Sequence, residues 1–215
     1  MTQAFTPADL ALAGPELVVT ITGLAVLFLD LLLPGKRREW LGALGVGGTL
    51  IAFALALCQA LEPGRVVIFG GLHAVDQFAS FFKLVFLLSA ALVLLLSMRF
   101  LQDEALPAGE FYALLLFATL GTMLMASAVD LLSLFVGIEM MSICTYVLCG
   151  FLKHDQRCNE GALKYLLMGV FSTGIILYGM VLLYGFAGGT GLETIARAVG
   201  MGDLHNPALI MGMVL

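Results

Sequence analysis

The chain has 215 residues, of which 61% are hydrophobic and 12% charged, with a formal net charge of −5 and a mean hydropathy of +1.06. A soluble domain of this size has no interior able to hide that much apolar surface, and the charges, spread over short loops, leave no nucleic-acid footprint. Apolar runs of helix-spanning length fit a polytopic all-α transmembrane bundle; the alternating polarity of a membrane β-barrel is absent.

The N-terminal stretch MTQAFTPADLALAGPE has no basic segment, so no cleaved signal peptide is expected. A first span is predicted over 15–33, closed by Pro34 and Gly35, and a second over 41–61. The third, 76–100, carries Asp76, Ser80 and Lys83 at helical spacing, a polar stripe in an apolar helix. Snorkelling of Lys83 to the outer surface is the competing reading. Spans four and five, 110–128 and 130–151, follow almost without a break, and a sixth covers 162–185. Glycines at 185, 188, 189 and 191 mark a loop, and 192–199 reads as a short amphipathic surface segment. Pro207 opens a seventh apolar run that stops at Leu215. About nine residues rise only ~14 Å, less than half a bilayer core, so six full spans and the start of a seventh are expected, as in a fragment or a truncated product.

Basic residues orient these spans. Lys36, Arg37, Arg38, Arg99, Lys153 and Arg157 fall in loops on one side, against Arg65 and Arg197 on the other. The positive-inside rule makes the richer side cytoplasmic and puts the N-terminus outside. Lys83 and Lys164 fall within predicted spans.

Glu139 lies near the middle of the fifth span, in FVGIEMMSICTY. An ionisable group at that depth costs roughly 2.5–3.5 kcal/mol on insertion scales, and such groups usually face a bundle interior or a hydrated path. Ser142 and Tyr146 follow at i+3 and i+7 and share its face. A carboxylate balanced between burial and a nearby cation can take up and release a proton; a neutral, hydrogen-bonded glutamate is the plainer alternative. Lys164 sits at the cytoplasmic end of the sixth span, roughly 10 Å closer to that surface than Glu139, so a water-linked relation is expected rather than a direct ion pair. Cys58, Cys144, Cys149 and Cys158 have neither CxxC spacing nor a histidine cluster, and the methionines scatter through the apolar runs; both residue types read as packing.

Residues 110–151 and 159–185 resemble the central helices of the subunit N family of the bacterial proton-pumping NADH:quinone oxidoreductase, respiratory complex I. The resemblance rests on E-x-x-S-x-x-x-Y at Glu139, Ser142 and Tyr146, on A-L-K-Y around Lys164, and on two L-Y-G triplets ending at Gly179 and Gly185. It implies an antiporter-like fold of two inverted helical repeats, with 1–215 as a single transmembrane domain. Residues 1–100 would be its first three helices and 110–215 the start of the first repeat. It implies that Glu139 and Lys164 carry proton transfer in a midplane chain of charges and water, with Ser142, Tyr146 and Lys83 as candidate supporting groups. The family's seventh-helix lysine would fall after Leu215.

The resemblance also implies a non-redox subunit of a translocase. It would hold no cofactor of its own, since NAD, flavin, iron–sulfur centres and quinone belong to the whole complex. Its partners would be other membrane subunits of complex I, the lipid bilayer, and protons and water. Its place would be the bacterial inner membrane, multi-pass, with the N-terminus periplasmic. Two readings stand beside this one: a cation/proton antiporter or membrane-bound hydrogenase subunit of the same superfamily, and a scaffold that moves no ion.

Overall fold

The computed structural model describes residues 7–32, 38–62, 64–104, 106–201 and 206–215. Helix α1 (Pro7–Leu12) leads into α2 (Gly14–Leu32), followed by α3 (Arg38–Leu61). Strands β1 (Val66–Ile68) and β2 (His73–Val75) form an antiparallel hairpin. Then come α4 (Gln77–Asp103), α5 (Ala108–Ser127), α6 (Leu131–Cys149), α7 (Gln156–Ala187), α8 (Leu192–Met201) and α9 (Pro207–Val214). Helices α2 to α7 are each long and apolar enough to cross a membrane, so the six predicted spans are present and the chain is a multi-pass all-α bundle.

Short polar residues start four of the helices. Asp76 accepts from Ala79 N at the head of α4, Asp130 from Leu132 N at α6, Asp155 from Arg157 N at α7, and Asn206 from Ala208 N at α9. Each satisfies a backbone donor that would otherwise be left open at a helix end. The Asp155 cap moves the start of the sixth span from the predicted 162 back to Gln156, because 156–161, although polar, continues the same helix. The third span likewise runs on to Asp103.

The bundle centres on α5. Over half of its apolar stretch, 56%, is buried among neighbours, against 6% for α7, which lies at one side. Val19, Val26, Ala52, Leu87, Leu94, Tyr112, Leu116 and Met123 interlock α2 to α5. Between α5 and α6 the backbones nearly touch: a Cβ on Gly121 would lie 2.6 Å from Met141 N, and one on Gly137 3.0 Å from Gly121 O. Close approach through small residues is how helices associate where lipid removes the hydrophobic drive.

Helices alternate in direction, so the starts of α2, α4 and α6 share one end of the bundle with the hairpin. Residues 62–75 read in sequence as an outer loop, and the structure folds 66–75 of them into this hairpin. Its turn places Phe69, Gly70 and Gly71 at positive φ, two of them the glycines that tolerate it. Main-chain bonds join three links at this end. Val129 N–H donates to Leu72 O (3.4 Å), Leu131 N–H to Thr190 O (2.9 Å) and Leu192 N–H to Val129 O (3.0 Å). Asp130 also takes the Thr190 hydroxyl (2.5 Å). The predicted amphipathic segment is α8, which buries Ile195 and exposes a Glu193–Arg197 pair. Of the basic residues used for orientation, Lys36 and Arg37 lie outside the described residues.

Candidate functional site

Two polar sites stand out in an otherwise apolar bundle. The first lies beneath the hairpin. Glu16 projects from the first turn of α2, Lys83 from the second turn of α4, and His73 from β2 above them. Glu16 Oε1 is 2.6 Å from Lys83 Nζ and 3.4 Å from His73 Nε2. The Lys83 side chain is wholly buried, and those of Glu16 and His73 are 7% exposed. Lys83 therefore does not snorkel: it turns inward to a carboxylate two helices away in sequence. The polar stripe pointed to Lys83, and Asp76 in it proves to be the cap of α4, with Arg65 at 3.9 Å.

Charge attraction holds this cluster. None of Glu16 Oε1 and Oε2, His73 Nε2, Lys83 Nζ or the neighbouring Ser80 Oγ has a partner at a hydrogen-bonding angle. Burying an ion costs several kcal/mol, and a close partner recovers much of that. A cavity of about 520 Å³ adjoins the cluster, with Glu16, Thr20, His73 and Ser133 among apolar walls from Leu17, Leu120 and Leu124. Sequence reasoning missed Glu16 and His73. Glu16 looks like an interfacial residue at a span entrance, and His73 sits in a presumed loop; no periodicity brings the two together.

The second site is the α6–α7 face. Glu139 lies eight residues into α6, roughly 12 Å from its start, half-buried, and without an ion pair or hydrogen bond among the described residues. Ser142 and Tyr146 follow on the same face, as their spacing requires. Tyr146 packs edge-on against Tyr165 of α7, with ring centroids 4.7 Å apart. Its hydroxyl rests where a side chain at position 169 would begin, so Gly169 makes room for it. Tyr165 OH approaches Thr145 Oγ1 at 3.5 Å.

Lys164 is exposed and pairs with Glu160 one turn away, at 2.5 Å. Gly150 abuts Ala162 across the helix pair, which sets the register of α6 against α7. In that register Lys164 is level with a point about nine residues beyond Glu139, roughly 14 Å along the axis. The structure thus groups Glu139, Ser142 and Tyr146 on one helix, sets Lys164 apart near the surface opposite the hairpin, and places Lys83 in a different cluster. The four cysteines are free thiols, with Cys144 buried between helices.

Comparison with known proteins concerns the chain as a whole. A family profile described as NADH:quinone oxidoreductase/Mrp antiporter, TM, matches residues 128–215. NADH-quinone oxidoreductase subunit N 1 of Koribacter versatilis is 44% identical over 93% of this chain, and subunit N of Trichlorobacter lovleyi 38% identical over 99%. The chain covers 41% and 44% of those proteins, so it spans about two-fifths of the length of the curated relatives it matches. Among solved structures, a chain of respiratory complex I from Thermus thermophilus with bound aureothin superposes with a TM-score of 0.69 at 29% identity. That match covers 93% of this chain and 43% of the other. A chain of an archaeal membrane-bound sulfane sulfur reductase superposes with a TM-score of 0.77 at 23% identity, covering 95% of this chain and 42% of that one, which speaks to the fold alone.

Proposed function

We propose, from a relationship to NADH-quinone oxidoreductase subunit N that extends over more than nine-tenths of this chain, that the protein is a proton-translocating membrane subunit of complex I. In this reading it carries out no redox step and holds no cofactor. It supplies a protonatable path while NAD, flavin, iron–sulfur centres and quinone are handled by other subunits. The observation that carries the reading is Glu139: a carboxyl group at mid-span, half-buried, with no counter-ion among the described residues. A charged group at that depth is costly, so a carboxyl retained there points to a functional site. Ser142 and Tyr146 extend its polar face toward Lys164, and the separation of roughly 14 Å calls for water between them.

The outlying position of α7 supports lateral partners. Its long apolar surface is covered by little within this chain, as befits a helix that meets further membrane helices. Residues 1–100 serve as three leading helices and 110–215 as the start of an inverted repeat. The excess of basic residues opposite the hairpin supports an orientation with the hairpin and the N-terminus on the outer face of the inner membrane. The profile name also covers Mrp antiporters, so a cation/proton antiporter subunit is the second reading.

The test is Glu139→Gln in the assembled complex, with quinone-linked proton uptake by membrane vesicles normalised to the amount of complex. Gln keeps the volume and the hydrogen bonds but releases no proton. Uptake should fall strongly, and less in Glu139→Asp. Assembly with uptake at the parent rate would leave Glu139 as a buried polar group and remove the basis of the proposal.

A further inference from the structure

The cluster beneath the hairpin has the makings of a site in its own right. We propose that Glu16, Lys83 and His73 form a proton-binding site that is loaded from the hairpin side of the membrane, with His73 as the group that accepts the proton. The proposal is independent of the role given to Glu139.

Three observations converge. Glu16 and Lys83 neutralise each other at 2.6 Å, so the pair alone accounts for its own charges. His73 adds a third titratable group against the same carboxylate oxygen at 3.4 Å, where an apolar side chain would have sealed the hairpin without polar cost. Glu16 Oε1 and Oε2, His73 Nε2 and Lys83 Nζ lack hydrogen-bond partners, and a mainly apolar cavity of about 520 Å³ adjoins them, with Glu16, Thr20, His73 and Ser133 in its wall. The walls of the cavity are almost wholly apolar, so water belongs only at the edge where these buried polar atoms face it.

The other charged groups nearby leave the site as the place where charge can change. On α1, Asp9 already has a partner. At the head of α4, Asp76 caps the helix and faces Arg65. At the turn between α5 and α6, Asp130 holds Leu132 N and the Thr190 hydroxyl. From α5 comes Ser127, whose buried hydroxyl has no partner and cannot carry charge. His73, by contrast, lies against the carboxylate of the Glu16–Lys83 pair and changes charge on binding a proton.

Chemically the step is a proton transfer alone. With the Nε2–H of neutral His73 turned to Glu16 Oε1, an incoming proton from water binds Nδ1. The resulting imidazolium can then pass the Nε2 proton to the carboxylate. Only N–H and O–H bonds change, and the water that delivered the proton leaves as hydroxide or is itself reprotonated from bulk.

The experiment is ¹⁵N-histidine magnetic resonance on the full chain in lipid nanodiscs across a pH series. His73 is assigned by the signal lost in His73→Gln, and His154 and His205 serve as internal references. We expect His73 to gain and lose a proton reversibly within the series. The midpoint should move down by about one pH unit or more in Glu16→Gln, and up in Lys83→Gln, as expected for opposite and like charges within about 6 Å. A His73 that holds one protonation state throughout in the parent chain overturns the proposal, whatever the variants do. Midpoints unmoved by both folded variants overturn it as well.

Discussion

Glu16 and Lys83 face each other at 2.6 Å across α2 and α4, sealed beneath a hairpin that neither helix contains. The contact ties the first helix of the bundle to the third, and it does so with charges rather than apolar packing. Removing one partner leaves the other buried and uncompensated, which costs about 3–5 kcal/mol; removing both leaves no orphan charge. Lys83→Met alone should therefore lower the unfolding midpoint of the chain in mixed micelles markedly. Lys83→Met together with Glu16→Leu should recover most of the loss. Additive losses in Lys83→Met and in Glu16→Leu taken singly, with no recovery in the double, would mean that the pair is not the contact that matters.

Glycines offer a contrast within one chain. Gly121 and Gly137 sit where α5 and α6 cross, with no space for a Cβ, whereas a Cβ on Gly174 would meet nothing within 4 Å. Gly137→Val should open the crossing and destabilise the bundle by about 1–3 kcal/mol or more, because backbone cannot yield as a flexible side chain does. Gly174→Ala should be neutral, or stabilising by up to about 1 kcal/mol through helix propensity. Unfolding in graded denaturing detergent gives both numbers.

Orientation is tested by single cysteines in a background free of the four native ones. Cysteines placed between 153 and 157 should react only with reagents that reach the cytoplasmic side, and cysteines in the hairpin turn at 69–72 only from outside. The expectation rests on the excess of Lys and Arg opposite the hairpin. Outside labelling of the 153–157 turn would reverse the topology, and with it the side from which His73 is loaded.

The six spans were legible because bilayer thickness imposes a length and an apolarity that few other structures share. Their ends were less so. Residues 156–161 look like a loop by polarity, yet a capped helix accepts polar residues once it has left the hydrocarbon, and Asp155 supplies the cap. The hairpin did leave a trace, since Val66–Ile68 and His73–Val75 flank a turn with two glycines. Glu139, Ser142 and Tyr146 could be grouped from spacing because they share one helix. Glu16, His73 and Lys83 could not: their meeting depends on how three elements pack, and single-sequence periodicity speaks only within one element. Lys83 was visible as an anomaly, but whether it turned outward to the surface or inward to a partner was decided by a residue in another helix.

The packing of Tyr146 on Gly169 allows the functional and structural roles of that tyrosine to be separated. The ring and hydroxyl occupy the space of a side chain at 169, and the ring also meets Tyr165. Gly169→Ala should therefore push α6 and α7 apart and weaken the pair by about 1–3 kcal/mol. Tyr146→Leu shortens the intruding side chain, so the double variant should regain much of the lost packing and assemble. If Tyr146 only fills space, the double variant should also take up protons at close to the parent rate. If its hydroxyl extends the polar face from Glu139 toward Lys164, assembly should recover while proton uptake stays low, and Tyr146→Phe alone should show the same deficit with packing intact. The two readouts, amount of assembled complex and uptake per complex, come from the same membranes. A Tyr146→Phe chain that pumps normally would confine the tyrosine to a packing role and shorten the proposed path to Glu139 and the water beside it.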